Sequence, residues 1–94
     1  MRERVIEKKL RKKITDRGGR FYKWTSPGND GVPDRIVILP NGRIIFVELK
    51  TDEGQLSEIQ KYQQKILADL GCNVTTVYGS GGADKFVREV LDGV

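Results

Sequence analysis

Residues 33–50 read PDRIVILPNGRIIFVELK, and this stretch decides the fold. Two β-branched, apolar segments, 34–39 and 43–50, flank the tripeptide Pro-Asn-Gly at 40–42. An Asn-Gly step favours the positive φ angles that a tight turn between antiparallel strands requires. The stretch therefore predicts a β-hairpin, and its second strand is the strongest strand of the chain.

The pairing of this hairpin brings acidic side chains together. Since side chains alternate between the two faces of a strand, Glu48 and Lys50 share a face about 7 Å apart. If residue 39 pairs with residue 43, Asp34 lies opposite Glu48. Facing carboxylates repel each other and destabilise a sheet, so a cation is expected between them. Lys50 is one candidate for that cation, and a divalent metal ion, which prefers oxygen ligands, is the better one.

The N-terminal part of the chain precedes the hairpin with one helix and one strand. Apolar residues spaced four apart, at Ile6, Leu10 and Ile14, predict a helix over 2–17. Residues 20–25 predict a short strand, and the turn-forming residues that follow it predict a loop before Asp34.

The part that follows the hairpin predicts helix, strand and helix. A capping box from Ser57 to Gln60 begins a helix that Gly71 ends. Residues 73–78 predict a last strand, and residues 79–82, Gly-Ser-Gly-Gly, predict a flexible turn before the final helix. The resulting order, α-β-β-β-α-β-α, predicts an α/β fold, and the length predicts one domain over 1–94.

The composition excludes several kinds of catalytic site. The 94 residues include no histidine and one cysteine, so Ser-His-Asp triads, Cys-His dyads and Cys/His zinc sites are excluded. Any chemistry must use carboxylates, lysines, amides, hydroxyls or a hard metal ion. No apolar run approaches the length of about 20 residues that spans a bilayer, and no secretory signal is recognisable. We expect a cytoplasmic protein without a membrane partner.

The charge is concentrated at the N-terminal end. Residues 1–24 hold ten lysines and arginines against three acidic residues, a net charge of +7, whereas residues 25–94 hold seven against ten. A basic segment favours a polyanionic partner such as nucleic acid, although it can also be a solvated surface. The candidate nucleic-acid contacts are Lys8, Arg11, Lys12, Lys23 and Arg35.

The motifs together resemble the PD-(D/E)XK nuclease superfamily, and more closely its VRR-NUC family in the stand-alone form. The resemblance covers nearly the whole chain and implies a restriction-endonuclease-like core with a mixed central sheet flanked by helices. The residues that carry it are Ile6-Glu7, Ser26-Pro27-Gly28, Gly31-Val32-Pro33-Asp34-Arg35, Phe46-Val47-Glu48-Leu49-Lys50, and Leu56-Ser57 followed by Gln60.

This resemblance implies a metal-dependent nuclease. Asp34, Glu48 and the backbone carbonyl of Leu49 are expected to bind Mg²⁺ or Mn²⁺, with Glu7 reaching the metal directly or through water. Lys50 is expected to orient or deprotonate the attacking water, and Gln60 to brace the site. The implied substrate is DNA, with branched DNA such as four-way junctions as the preferred form, and the implied assembly is a homodimer in a bacterial or phage-infected cell.

Each of these residues also has a simpler interpretation. Glu48 and Lys50 are also placed to form an ordinary ion pair, and Asp34 to cap the loop after Pro33. Glu7 is also placed to pair with Arg11 four residues later, in which case Glu3 is the alternative acidic residue of the same helix. Gln60 already belongs to the capping box. The alternative function is a non-catalytic nucleic-acid-binding or interaction module of a replication or repair complex.

Overall fold

The computed structural model describes residues 2–93 and confirms the predicted α/β fold. The predicted domain over 1–94 includes Met1 and Val94, which lie outside the described residues. The elements are α1 (Glu3–Asp16), β1 (Arg20–Lys23), β2 (Arg35–Leu39), β3 (Arg43–Lys50), α2 (Glu58–Asp69), β4 (Asn73–Tyr78), α3 (Gly79–Phe86) and a wider helical turn (Val87–Leu91).

The four strands form one mixed sheet in the order β1-β2-β3-β4. β1, β2 and β3 pair in antiparallel fashion, whereas β3 and β4 are parallel. A parallel pair needs a crossover connection, and α2 provides it between β3 and β4. The mixed sheet that the family resemblance implied is therefore confirmed.

The predicted hairpin has the predicted register. Leu39 pairs with Arg43 and Arg35 with Val47, so Asp34, directly before β2, lies across from Glu48. The turn residues Asn41 and Gly42 have φ angles of 70° and 76°, the positive values that favour asparagine and glycine. The Pro-Asn-Gly turn thus sets the alignment of the two strands that carry the acidic residues.

The hydrophobic core lies between one face of the sheet and the helices α1 and α3. Ile6, Leu10 and Ile14 of α1 are completely buried, which confirms the predicted apolar stripe of this helix. The sheet contributes Phe21, Val37, Leu39, Ile45, Val47, Leu49 and Val77 to the core, and α3 contributes Ala83 and Phe86.

No helix within residues 2–93 has the length and apolar character needed to cross a bilayer.

The other face of the sheet is less well covered, because α2 buries none of its residues. Apolar side chains recur along one side of α2, yet Ile59 is 45%, Tyr62 59% and Leu70 76% exposed. The residues of α2 nearer the sheet are mainly glutamines, one of which, Gln64, donates a hydrogen bond to the Thr76 hydroxyl at 2.9 Å. The apolar side of α2 therefore faces away from the core.

The prediction of a flexible turn at residues 79–82 is wrong, since α3 begins at Gly79. Lys9 of α1 donates a hydrogen bond to the Ser80 hydroxyl at 2.8 Å and forms an ion pair with Asp84. Ala83 lies one turn after this contact and is completely buried. Contacts with α1 and with the core thus outweigh the low helix propensity of glycine.

Candidate active site at the open end of the hairpin

Asp34 is held at the start of β2 by hydrogen bonds on its backbone and its side chain. Its carbonyl oxygen accepts a hydrogen bond from the backbone N–H of Trp24 at 2.9 Å. Its carboxylate oxygen Oδ1 accepts from the backbone N–H of Leu49 at 3.1 Å. This second bond ties the carboxylate directly to the middle of the Glu48-Leu49-Lys50 motif on β3.

Glu48 is a buried carboxylate, with only 5% of its surface exposed. Burial, followed by the negative charge of Asp34, raises the pKa of Glu48 to about 7, while the ammonium of Lys50 acts in the opposite direction. Burial disfavours the charged form of a carboxyl group, and a like charge nearby adds to the cost. A cation at this position would favour ionised Glu48, in agreement with the sequence-based argument.

Lys50 ends β3 on the same face of the sheet as Glu48. Beside β3, the parallel strand β4 places Tyr78 next to Lys50 in the register. The chain then turns sharply, because the N–H of Gly54 donates to the carbonyl of Thr51 at 3.0 Å. Glycine at position 54 leaves room for Lys50, since a Cβ there would lie 3.2 Å from the Cβ of Lys50.

Gln60 occupies its predicted place in the capping box. Its side-chain oxygen accepts a hydrogen bond from the N–H of Ser57 at 2.9 Å, and its own N–H donates to the Ser57 hydroxyl at 3.2 Å. These bonds satisfy donors at the beginning of α2. The expected role of Gln60 in bracing the active site remains a prediction beside this confirmed structural role.

Glu7 forms the predicted local ion pair with Arg11, at 2.7 Å, and a second one with Arg35 at 3.2 Å. The hydrogen bond from Arg11 is the largest cause that lowers the pKa of Glu7, and Arg35 contributes in the same direction. Glu3, one turn earlier, contributes to the raised pKa of Glu48. A contact of Glu7 with a metal remains a prediction, and Glu3 is the acidic residue of α1 whose charge acts on Glu48.

The prediction that Arg35 contacts nucleic acid is corrected by its burial. Only 8% of its side chain is exposed, because Arg35 points from β2 towards α1 rather than towards solvent. Its guanidinium contacts the carboxylates of Glu7 and Asp34. The signal that could have indicated this is strand alternation, which puts Arg35 on the core face with Val37 and Leu39.

The other candidate nucleic-acid contacts lie on the surface. Lys8, Lys12 and Lys23 are exposed, and Lys12 forms an ion pair with Asp16. Arg11 is also exposed, but its guanidinium donates to the Phe21 carbonyl at 2.9 Å in addition to Glu7. These positions form a basic surface on α1 and β1, and their contact with nucleic acid remains a prediction.

The donors present at the site fit a hard divalent cation. Asp34 and Glu48 supply carboxylate oxygens, and Leu49, the residue directly after Glu48, supplies a backbone carbonyl. Mg²⁺ is typically held by one or two carboxylates while it keeps several waters. Among residues 2–93 no group of three acidic or cysteine side chains is arranged to hold a metal. Two carboxylates and one carbonyl would leave coordination positions on such a cation for water and for a substrate phosphate.

The site is also distinct from a cavity of about 470 Å³ between β4 and α3. The walls of this cavity include Thr76, Lys85 and Phe86, and none of the candidate catalytic residues. Asp34 and Lys50 lie instead at the surface end of the hairpin. Such an open position is compatible with a polymeric substrate, which a closed pocket would not admit.

This chain is similar to a known protein in sequence and to a solved structure in fold. A protein of Acyrthosiphon pisum secondary endosymbiont phage 1, named "Putative nuclease p44", is 46% identical over 74 residues, which cover 79% of this chain and 80% of the relative. A solved structure described as a "VRR_NUC domain" matches with a TM-score of 0.87 and 29% identity, over 94% of this chain and 96% of that one. No protein-family model matches. From its relative and its fold, this chain belongs to the VRR-NUC family of nucleases.

Proposed function

We propose that this protein is an endonuclease that hydrolyses DNA phosphodiester bonds with Mg²⁺ or Mn²⁺. The observation that carries the proposal is the position of Asp34 across from the buried Glu48, with Lys50 on the same face. Membership of a nuclease family supports it. When bound, the cation supplies Lewis-acid polarisation of the phosphate and neutralises negative charge.

The residues of the site have separate roles in this proposal. Asp34, Glu48 and the carbonyl of Leu49 hold the cation. Lys50 orients the attacking water, or takes its proton, and stabilises the charge that develops on the phosphate. Gln60 braces the site by holding the start of α2 against the loop that follows β3. Glu7 of α1 lies beside these residues, paired with Arg11 and Arg35.

DNA is the substrate that best fits the charge distribution. The exposed lysines of α1 and β1 carry positive charge on the same domain as the acidic metal site. This arrangement suits a phosphate backbone on the protein surface and a single phosphate at the metal. Resemblance to the stand-alone VRR-NUC proteins favours branched DNA, such as four-way junctions. The phage source of the p44 relative favours action in the cytoplasm of a phage-infected bacterium.

The proposal is tested by a cleavage assay with the wild-type protein. Duplex, flap, single-stranded and four-way DNA are incubated with Mg²⁺, with Mn²⁺, and with EDTA. We expect cleavage with either metal, fastest on the four-way substrate, and none in EDTA. Binding to DNA in EDTA without cleavage after metal is restored would contradict the proposal and favour a non-catalytic binding module.

The lysines of the basic surface are expected to contribute affinity without sequence preference. Each phosphate contact that is lost reduces the slope of log K against log salt by about 0.9. For Lys8→Ala and Lys23→Ala, measured on catalytically inactive protein by fluorescence anisotropy, we expect weaker binding and a smaller slope. Lys85→Ala, an exposed lysine on α3, is the matched control and should leave the slope unchanged. Equal slopes for all variants would contradict contact at these lysines.

We also propose that the protein is a homodimer that pairs through α2. Ile59, Tyr62, Ile66 and Leu70, together named the α2 stripe, follow helical spacing and are exposed. The stripe is self-complementary, because an antiparallel partner helix places its Leu70 against Ile59 and its Ile66 against Tyr62. A contiguous apolar patch of this kind typically marks an interaction surface. A twofold dimer uses the same patch on both subunits and gives two active sites.

Leu70→Glu is expected to convert the dimer to a monomer. Leu70 is 76% exposed, so the substitution disturbs no core packing, but it places a charge inside the proposed interface. Analytical ultracentrifugation of both proteins at the same concentrations measures the shift. Val5→Glu, at another exposed apolar residue outside α2, is the control and should remain dimeric. Monomeric wild-type protein at micromolar concentration would contradict this assembly.

A further inference from the structure

Arg35 is the buried cation nearest to the candidate metal ligands. Its Nη1 atom donates to the Asp34 carbonyl at 3.0 Å and lies 3.3 Å from Oδ2 of the same residue. Its Nη2 atom donates to Oε2 of Glu7 at 3.2 Å. Nε is buried and has no hydrogen-bond partner among the described residues. The two Nη atoms therefore make the contacts that hold this side chain.

Glu7 is in turn occupied by two arginines. One carboxylate oxygen, Oε1, accepts from Arg11 at 2.7 Å, and the other accepts from Arg35. Arg11 is itself held, because its Nη1 atom donates to the carbonyl of Phe21, a completely buried residue of β1. The orientation of Glu7 is thus determined by contacts with α1 and β1. Glu7 in turn orients Arg35 through the hydrogen bond between them.

Asp34 receives one contact on each carboxylate oxygen. Leu49 donates to Oδ1, and Arg35 lies against Oδ2. An ionised carboxylate has about four lone-pair sites, so one on each oxygen is left for a further ligand. The two contacts engage both carboxylate oxygens and so orient the group. Groups that orient a metal ligand in this way change metal affinity by about 10–100-fold when they are removed.

We propose that Arg35 is a positioning residue, which holds the Asp34 carboxylate for metal binding and is itself held by Glu7. Glu7 then acts on the site through Arg35 and not as a metal ligand. The inference rests on the proposed metal-dependent function. A direct contact of Glu7 with the metal would compete with its two ion pairs, and the loss of one of them would leave the guanidinium of Arg35 buried and less well compensated.

A double-mutant cycle distinguishes these two roles of Glu7. The Kd for Mn²⁺ is measured by isothermal titration calorimetry for wild type, Glu7→Gln, Arg35→Lys and the double variant, with DNA cleavage as a second readout. Lysine keeps the charge but cannot contact two carboxylates with a planar fork, so we expect Arg35→Lys to raise the Kd about 10-fold. Glu7→Gln should raise the Kd less. The Kd of the double variant should equal that of Arg35→Lys alone, because Glu7 acts on the metal ligand only through Arg35.

Several outcomes would overturn the inference. An unchanged Kd in Arg35→Lys would do so, and so would multiplied effects in the double variant, since independent effects indicate a direct metal contact of Glu7. If Arg35→Lys is unfolded by circular dichroism, the Glu7→Gln variant decides the question, and a rise of its Kd beyond about 100-fold overturns the proposal. Lys9→Met, which removes the ion pair of α1 with Asp84, is the structural control and should lower the melting temperature without changing the Kd.

The failure of the proposed function has a different signature. Wild-type protein that binds Mn²⁺ but cleaves no DNA would overturn the nuclease proposal, while the Mn²⁺ cycle would still decide the role of Arg35. Wild-type protein that binds no Mn²⁺ would overturn both proposals.

Discussion

Exchange of Asp34 for asparagine is expected to reduce the rate of metal-dependent DNA cleavage by about 10²-fold or more. The amide oxygen of asparagine can still accept the hydrogen bond from Leu49, so the shape of the site is kept. The substitution removes one of the two negative charges that hold the cation. The same variant is therefore expected to bind Mn²⁺ more weakly, and calorimetry and single-turnover cleavage measure the two effects.

Lys50→Ala is expected to slow cleavage by about 10²–10⁴-fold through a different step, because a group that transfers a proton or stabilises developing charge contributes in this range. The Kd of this variant for Mn²⁺ should not increase, because Lys50 is not a metal ligand and its positive charge repels the cation. Asp84→Asn and Lys85→Ala change the same residue types on the exposed surface of α3 and are the matched controls. Variants at Asp34 and Lys50 that cleave as fast as wild type would contradict the assigned site.

The largest effect on stability is expected for Leu10→Ala. Leu10 is completely buried in the middle of α1 and packs in the core beneath the sheet. Truncation of a buried leucine to alanine costs about 2–5 kcal/mol, because the transfer energy of the side chain is lost and a cavity remains. For a domain with a total stability of about 5–15 kcal/mol, this is a large part of the free energy of unfolding.

Urea denaturation followed by circular dichroism measures this loss. The comparison is made at one protein concentration, because association with a second copy would make the apparent stability depend on concentration. Val5→Ala in the same helix is the control, since Val5 is 47% exposed, and its effect should stay within about 0.5 kcal/mol. Equal losses for the two variants would indicate that the apolar stripe of α1 is not the main contact with the sheet.

The fold and the position of the acidic pair could be predicted because both follow from local rules. The Pro-Asn-Gly turn determined the register, and alternation along β3 determined which side chains share a face. The capping box likewise marked the beginning of α2 through a contact three residues apart. The burial of Glu48 then adds a physical consequence, the raised pKa, that a one-dimensional pattern does not contain.

The predictions that failed depend on contacts between distant segments. The positive charge of Arg35 favours the surface, whereas its place on the core face of β2 buries it in contact with Glu7 and Asp34. Residues 79–82 were assigned to a flexible turn because glycine has low helix propensity, and the contact of Ser80 with Lys9 spans 71 positions of sequence. Helical spacing likewise shows that the α2 stripe exists but does not show which surface it meets.

The hairpin that carries Asp34, Glu48 and Lys50 has a consequence for folding. Hairpins close within about 1–10 μs, and the short loop between these strands costs little entropy. The parallel pairing of β3 with β4 must wait until the whole α2 crossover is in place, and such non-local pairings form slowly. We therefore expect the two carboxylates to come together early in folding, before the α2 crossover and the pairing of β4 are complete.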